Sequence, residues 1–145
     1  MYYQINQSQY PTHLTAPMEA ELTDNGFEAL KSPEAVETVL DAEEGTVLLV
    51  VNSVCGCAAR NARPAAVYAT REGKLPNKMV TVFAGVDGGA VQKARDFMLP
   101  YPPSSPSMAL FKDGKLVHFI ERHNIEGRDA VSIAKNLKMA FEQYC

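Results

Sequence analysis

Two cysteines separated by a single glycine are the residues of this chain best suited to chemistry. Cys55, Gly56 and Cys57 follow residues 46–52, a run rich in β-branched residues that predicts a buried parallel strand. The residues after the cysteines predict a helix. Thiols at a helix N-terminus ionise readily, because the helix dipole and the free backbone N–H groups favour the thiolate. Since the thiolate is the species that attacks a disulfide, the pattern indicates thiol–disulfide exchange.

The overall composition is that of a globular protein in a reducing compartment. A chain of 145 residues with 46% hydrophobic and 21% charged residues has enough material for one domain with a core. No apolar run approaches the roughly 20 residues that span a bilayer. The first residues also lack the basic and apolar regions of a secretory signal. We therefore expect a cytoplasmic location and no membrane partner.

Charge is distributed unevenly along the chain, although the net charge is only −3. The first 53 residues carry nine acids and one base, whereas the remainder carries eight acids and thirteen bases. One interpretation is an acidic, solvated N-terminal helical segment. The other is that Arg60, Arg63, Arg71 and Lys74, which follow the cysteines, favour a thiolate or an anionic substrate. The negative net charge and the lack of a basic and aromatic stripe argue against nucleic-acid binding.

The third cysteine and the histidines allow a second interpretation of the cysteine pair. Cys55 and Cys57 could be two metal ligands, with Cys145, His118 or His123 completing the set. These spacings match no known metal-binding pattern, so we predict no metal site. Three cysteines, two of them adjacent, do not form a framework of structural disulfides. Cys145 is then an exposed, inert thiol, a group that resolves an adduct on Cys55, or a partner in an intermolecular disulfide.

Sequence patterns predict alternating helices and strands after a loosely ordered arm over residues 1–15, with residues 16–145 forming a single domain. Helices are expected over residues 16–30, from Ser32 and Pro33 onward, over 55–72 with a kink at Pro64, near 90–98, and over 128–144. Strands are expected over residues 46–52, 78–84, 107–111 and 115–121, the last two forming a hairpin around Asp113 and Gly114.

This order of elements resembles the thioredoxin fold, in which paired cysteines follow the first strand and a proline precedes the hairpin. The resemblance implies an α/β protein with a central mixed sheet of about four strands flanked by helices, here with an N-terminal helical extension. It also implies a cis peptide bond before Pro106, facing the nucleophilic cysteine. Ser105 and Pro106 would then form the edge at which a substrate backbone docks in strand-like fashion.

A finer resemblance is to the bacilliredoxins, a family of small bacterial thioredoxin-like proteins with a Cys-Gly-Cys motif. Stretches along most of residues 17–145 carry it: 21–23, 26–27, 51–58, 61–64, 81–85, 101–110 and 117–120. Family members remove bacillithiol from protein mixed disulfides, and some show disulfide isomerase activity. Arg60 and Val86 depart from the small and polar residues of relatives, and the departure at Arg60 concerns substrate preference.

The resemblance implies a role for each thiol. Cys55, nearest the helix start, is the predicted nucleophile, and Cys57 is the predicted resolving cysteine. Bacillithiol would be the thiol co-substrate, with no bound cofactor, and the partners would be S-bacillithiolated or disulfide-bonded client proteins. Asn52 and Ser53, which we assign to substrate binding, either bond the active-site loop or the thiolate, or form a local turn cap. The alternatives are a general protein disulfide isomerase or reductase, and a non-enzymatic module that senses oxidation.

Overall fold

The computed structural model describes residues 8–145. In chain order its main elements are α1 (Thr12–Thr23), β1 (Glu28–Ala29), α2 (Pro33–Leu40), β2 (Thr46–Asn52), α3 (Arg63–Ala69), β3 (Lys78–Phe83), α4 (Gly88–Asp96), β4 (Ser107–Lys112), β5 (Lys115–Ile120) and α5 (Ala130–Tyr144). A π-helical turn, Ala58–Ala62, precedes α3, and a 3-10 turn, Arg122–Asn124, follows β5. None of the helices within residues 8–145 has the length and apolar character needed to cross a membrane.

The sheet is mixed and has the strand order β1-β3-β2-β4-β5. The central strand β2 is buried along its whole length, which explains why its sequence is continuously apolar rather than alternating. It pairs in parallel with β3 and antiparallel with β4. The carboxyl ends of β1, β2 and β3 and the amino end of β4 therefore lie at the same end of the sheet, and the cysteines follow β2 at that end.

Successive side chains of β2 contribute to two different cores, as the pleat of a strand requires. Leu48 and Val50 lie in the core with α3 and α5, which includes Phe141. Leu49 and Val51 lie in the core on the opposite face, with α2 and α4. Helices thus cover both faces of the sheet, so the predicted central mixed sheet flanked by helices is confirmed.

Most predicted elements agree with the structure within one or two residues, and Ser32 caps α2 by accepting a hydrogen bond from the Ala35 N–H at 3.1 Å. The number of strands, however, is five rather than about four. The prediction of helix over residues 16–30 is wrong at its end, because Glu28–Ala29 is a strand paired with β3. Gly26, with φ of +95°, reverses the chain between α1 and this strand.

The helix at the start of the chain begins earlier than predicted. Residues 12–15, assigned from the sequence to the loosely ordered arm, form the first turn of α1. Pro11 is the residue before this helix, with extended backbone angles, and its carbonyl accepts hydrogen bonds from the N–H groups of Leu14 and Thr15. The first part of the predicted arm, residues 1–7, lies outside the described residues.

The helix after the cysteines differs from the prediction in two ways. It ends at Ala69 rather than at residue 72, and it contains the π-helical turn instead of a simple kink. Pro64 has no N–H to donate to the carbonyl four residues back, which weakens regular α-helical bonding there. The Arg63 N–H bonds the Ala58 carbonyl, five residues back, so the turn is widened.

Candidate active site

Cys55 and Cys57 are joined in a disulfide at the carboxyl end of β2, with their Cα atoms 5.4 Å apart. Both residues are half-buried, and Gly56 between them is exposed. The Cys55 carbonyl accepts hydrogen bonds from the N–H groups of Ala58 and Ala59 at 3.1 and 3.2 Å, which begin the helical segment. The structure therefore holds the oxidised form of a dithiol at a helix N-terminus, the position predicted from the sequence.

A buried amide lies directly before this disulfide. Asn52 is fully buried, and its side-chain oxygen accepts from the Ser53 N–H at 2.8 Å and from Nη1 of Arg63 at 3.0 Å. Its Nδ2 donates to the Met18 carbonyl at 3.3 Å. The Ser53 hydroxyl oxygen in turn accepts from the Cys55 N–H at 3.2 Å. Asn52 and Ser53 thus link the loop that carries Cys55 to α1 and α3.

Arg63 is a buried cation behind the same loop, with only 2% of its surface exposed. Besides Asn52, its Nη1 bonds the Ser53 carbonyl at 2.9 Å. Its Nε lies 3.1 Å from a carboxylate oxygen of Glu21 in an ion pair, without the alignment of a hydrogen bond. A buried charge requires such partners. The burial of Arg63 was not predicted, because arginine is usually exposed and no local pattern distinguishes a buried one.

Arg60 extends over the spacer between the two cysteines. A Cβ placed on Gly56 would lie 2.9 Å from Nη2 and 3.3 Å from Cζ of Arg60, so the guanidinium rests in contact with this glycine. Arg60 is exposed, and no carboxylate of residues 8–145 lies within ion-pair distance of it. A solvent-accessible positive charge therefore lies beside the glycine that separates the two cysteines.

The Ser105–Pro106 peptide bond is cis, as predicted. Ser107, the next residue, pairs with Val51, so this peptide lies beside the end of β2. Pro106 is buried and Ser105 is half-buried. A second cis bond, between Leu99 and Pro100, was not predicted.

The Ser105 carbonyl has a partner that the sequence did not indicate. Arg122 donates from Nη1 to this carbonyl at 3.1 Å, and its backbone N–H donates to the Ser104 hydroxyl at 3.4 Å. An ion pair with Glu126 holds the same side chain. Arg122 lies 17 residues after Ser105, and the β4–β5 hairpin brings them together, so no local signal could have identified the contact.

A charged group connects elements at the same end of the sheet. Lys31 forms ion pairs with Glu19 and with Asp87, the latter at 3.4 Å. Burial raises the pKa of the Asp87 carboxyl above its usual range, although the ammonium of Lys31 opposes this shift. Burial by itself would lower the pKa of Lys31, but its bonds to the two carboxylates outweigh burial and raise it. The group joins α1 and α4 around the β1–α2 connection.

The remaining residues considered for chemistry lie elsewhere. Cys145 is a free, exposed thiol at the end of α5. Nε2 of His118 lies 2.6 Å from the side-chain oxygen of Asn136, and His123 is exposed beside Glu121. Within the described part of the chain, no three His, Cys, Asp or Glu residues are grouped as metal ligands would be.

Comparison with known proteins identifies relatives along nearly the whole chain. A family model described as disulphide isomerase matches residues 10–145. A bacilliredoxin from Cytophaga hutchinsonii is 57% identical over 134 residues, which cover 92% of this chain and 98% of the relative. A bacilliredoxin from Halalkalibacterium halodurans is 48% identical over 141 residues, covering 97% and 98%.

Solved structures of thioredoxins share the architecture. Fasciola hepatica thioredoxin superposes with a TM-score of 0.57 at 14% identity, covering 82% of this chain and all of that one. Oxidised thioredoxin O2 from Arabidopsis thaliana gives a TM-score of 0.55 at 20% identity, covering 84% and 97%. At this level of identity the likeness shows the fold alone.

Proposed function

The chain belongs to the bacilliredoxin family and is a thiol–disulfide oxidoreductase, and we propose that its substrates are protein mixed disulfides with bacillithiol. The observation that carries the proposal is the Cys55–Cys57 disulfide at the start of a helix, at the end of the sheet where the Ser105–Pro106 peptide also lies. Two adjacent thiols can take a small thiol from a client protein and then release it. The name shared by the relatives supports bacillithiol as that thiol.

In the proposed first step, the Cys55 thiolate attacks the bacillithiol sulfur of the mixed disulfide. A bond forms between Cys55 Sγ and that sulfur, while the bond to the client sulfur breaks. The electron pair leaves with the client, which departs as a thiolate and takes up a proton from water. The helix N-terminus favours the thiolate that begins this step.

In the second step, the Cys57 thiolate attacks Cys55 Sγ and bacillithiol leaves as a thiolate. The product is the Cys55–Cys57 disulfide, the state present in the structure. Two molecules of bacillithiol return the pair to dithiol and become bacillithiol disulfide, so bacillithiol acts as co-substrate and no bound cofactor is required. We assign the reaction to the cytoplasm, where such thiols are kept reduced.

The docking edge of this proposal is Ser105 and Pro106, which would pair with the client backbone in strand-like fashion. In the structure the Ser105 carbonyl accepts a hydrogen bond from the Arg122 guanidinium. A client backbone N–H that docks at this oxygen would replace Arg122 as the donor. Asn52 and Ser53 act by holding the Cys55 loop through their hydrogen bonds, rather than by touching the client.

The test is mass spectrometry of the reduced protein after mixing with a bacillithiolated client. We expect Cys57→Ala to accumulate a bacillithiol adduct on Cys55 while the client thiol is freed, and Cys55→Ala to free none. Cys145→Ala is the matched control, because Cys145 is exposed and unbonded, and it should behave as wild type. Release of the client thiol by Cys55→Ala would contradict the assignment of the nucleophile.

General disulfide isomerase or reductase activity is the second candidate, favoured by the description of the matching family. A client with non-native protein disulfides distinguishes the two. Reshuffling of that client, together with no transfer of bacillithiol, would replace the proposal by isomerase activity. Reaction of a single equivalent without turnover, when excess reducing thiol is present, would instead indicate a redox-sensing module.

A further inference from the structure

We infer that Arg60 makes this enzyme selective for low-molecular-weight thiols that carry a carboxylate, which it binds above Gly56 while the thiol is attached to Cys55. The inference deepens the proposed function and rests on it. It assigns a substrate-binding role to a residue outside the dithiol and the Ser105–Pro106 edge. The ligand is defined by its chemistry, a carboxylate carried on the small thiol.

The Arg60 guanidinium lies against Gly56, the residue between the two cysteines. The residue between the two sulfurs is a glycine, and the guanidinium occupies the space where a side chain at that position would start, 2.9 to 3.3 Å from an added Cβ. Cys55 is half-buried and directly precedes Gly56, so we place a small thiol attached to Cys55 within reach of this group. The planar guanidinium can bind a carboxylate through two parallel hydrogen bonds.

Arg60 lacks a carboxylate partner within residues 8–145, whereas the two arginines that hydrogen-bond the cysteine loop and the Ser105 carbonyl each have one. Arg63 is paired with Glu21, and Arg122 with Glu126. Arg63 and Arg122 are thus already paired within the protein. Arg60 is exposed, lies against Gly56 and has no such pair among the described residues. Among the described residues, no carboxylate competes with an anionic substrate for Arg60.

The two segments that form the site carry no acidic residue. The segment that carries the cysteines, residues 45–71, contains no Asp or Glu, and neither does the segment that carries the docking edge, residues 97–112. The buried cation of Arg63 adds positive potential behind the loop. A carboxylate on the substrate thus meets attraction from Arg60 without an acidic neighbour in either segment to repel it.

An effect of Arg60 on thiolate formation alone predicts a different result. A cation that only lowered the Cys55 pKa would accelerate attack on every mixed disulfide by the same factor. Direct binding of a carboxylate changes the ratio of rates between anionic and neutral small thiols. The ratio is therefore the quantity to measure.

The experiment uses one client protein with a single thiol, loaded in turn with 3-mercaptopropionate, 2-mercaptoethanol or cysteamine. These adducts are similar in size and are anionic, neutral and cationic. Single-turnover release of the client thiol by the reduced full-length chain is followed at low salt. We expect wild type to react about fivefold faster with the anionic adduct than with the neutral one, the upper range for a solvent-exposed ion pair.

Substitutions of Arg60 separate the guanidinium from its charge. Arg60→Gln should bring the anionic-to-neutral ratio close to one, and Arg60→Lys should retain part of the preference because it keeps the charge without the planar fork. Arg71→Gln is the control. Arg71 lies 11 positions after Arg60 and stacks on the Tyr68 ring. In Arg71→Gln the anionic-to-neutral ratio should therefore stay at the wild-type value. Raising the salt concentration to 0.5 M should lower the wild-type ratio, a result that needs no variant.

An unchanged ratio in Arg60→Gln would overturn the inference. A parallel fall in the rates with all three adducts, accompanied by a higher Cys55 pKa in iodoacetamide alkylation, would also overturn it and assign Arg60 to thiolate formation. Equal wild-type rates with the three adducts would refute selectivity while leaving the oxidoreductase reaction intact. Failure of wild type to act on any adduct would refute the proposed function as well.

Discussion

Two helices of this protein begin in different ways: a side chain caps one of them, and the other begins beside the two cysteines without a side-chain cap. The closing helix α5 begins after Asp129, whose carboxylate accepts from the Ser132 N–H at 2.7 Å. No side-chain cap bonds the helical segment that follows the cysteines. The nearest hydroxyl, that of Ser53, accepts from the Cys55 N–H instead.

The comparison shows what each helix end stabilises. At α5, the hydrogen bonds from Ser132 lower the pKa of Asp129, so the carboxylate that caps the helix is ionised at neutral pH. At the cysteines, no carboxylate or hydroxyl caps the helical segment. Its N-terminus can therefore stabilise a cysteine thiolate, which exists only in the reduced protein. At α5 the anion is a carboxylate that is present in both redox states, whereas at the cysteines the anion is a thiolate that forms only on reduction.

The largest change in stability is expected on removal of Asn52, whose buried hydrogen bonds hold the loop before the uncapped helix. Asn52→Ala removes the acceptor of Arg63 Nη1 and Ser53 N–H, and should lower the free energy of unfolding by about 1–3 kcal/mol. Asn61→Ala is the control, because Nδ2 of Asn61 makes one part-buried bond, to the Ile125 carbonyl at 3.2 Å. Urea denaturation measures both. A loss in Asn52→Ala no larger than that in Asn61→Ala would refute the importance of the buried amide.

A resident anion at the reactive helix should weaken its thiolate. Val54 is half-buried and adjoins Cys55, so Val54→Asp places a carboxylate beside the sulfur. We expect the Cys55 pKa to rise by about one unit, equivalent to about 1.4 kcal/mol, as repulsion between like charges requires. The pH dependence of iodoacetamide alkylation measures this shift. Val54→Asn, nearly identical in shape but neutral, should cause a much smaller shift, and an equal one would exclude repulsion as the cause.

The smallest effect concerns the capped helix and depends on pH. The pKa of Asp129 is lowered in the folded protein by its bonds from Ser132, so folding favours the ionised form. Its contribution to stability is present above the ordinary carboxyl pKa of about 4 and is lost as the pH falls through the lowered value. Asp129→Ala should therefore be less stable than wild type at pH 7, and the difference should shrink in acid.

Thermal unfolding between pH 2 and pH 7 follows this difference. Asp129→Asn is the matched control, because asparagine retains a capping oxygen but does not titrate in this range. The stability of this variant relative to Asp129→Ala should change little with pH. A constant difference between wild type and Asp129→Ala over the whole range would show that the charge of the cap contributes nothing.

The fold was predictable where a pattern is local. The continuous apolar run of β2, the turn at Asp113 and Gly114, and the spaced apolar residues of α5 each specify an element without help from the rest of the chain. The strand Glu28–Ala29 was not predictable. It has two residues and becomes a strand only by pairing with Val80 and Thr81 of β3.

The candidate site likewise contains residues that local sequence patterns predict and residues whose contacts depend on the tertiary structure. Cys55, Cys57 and Pro106 are recognisable from neighbouring residues and from the order of elements. The contacts of Arg63 and Arg122 depend on tertiary structure, because one guanidinium is buried against β2 and the other reaches across a hairpin. The π-helical turn also follows from competition between Pro64 and regular helix bonding, which sequence patterns do not resolve.

The antiparallel pairing of β2 and β4 also limits how such a site can diverge. The register runs from Thr46–Lys112 to Val51–Ser107, so one ladder holds both the cysteine loop and the Ser105–Pro106 peptide. A slip of one residue would turn Leu48 and Val50 out of their core, so the spacing between the two halves cannot change without unfolding. New substrate preferences should therefore arise in relatives through residues outside this ladder, such as Arg60 and Arg122, while the separation of dithiol and docking edge is inherited unchanged.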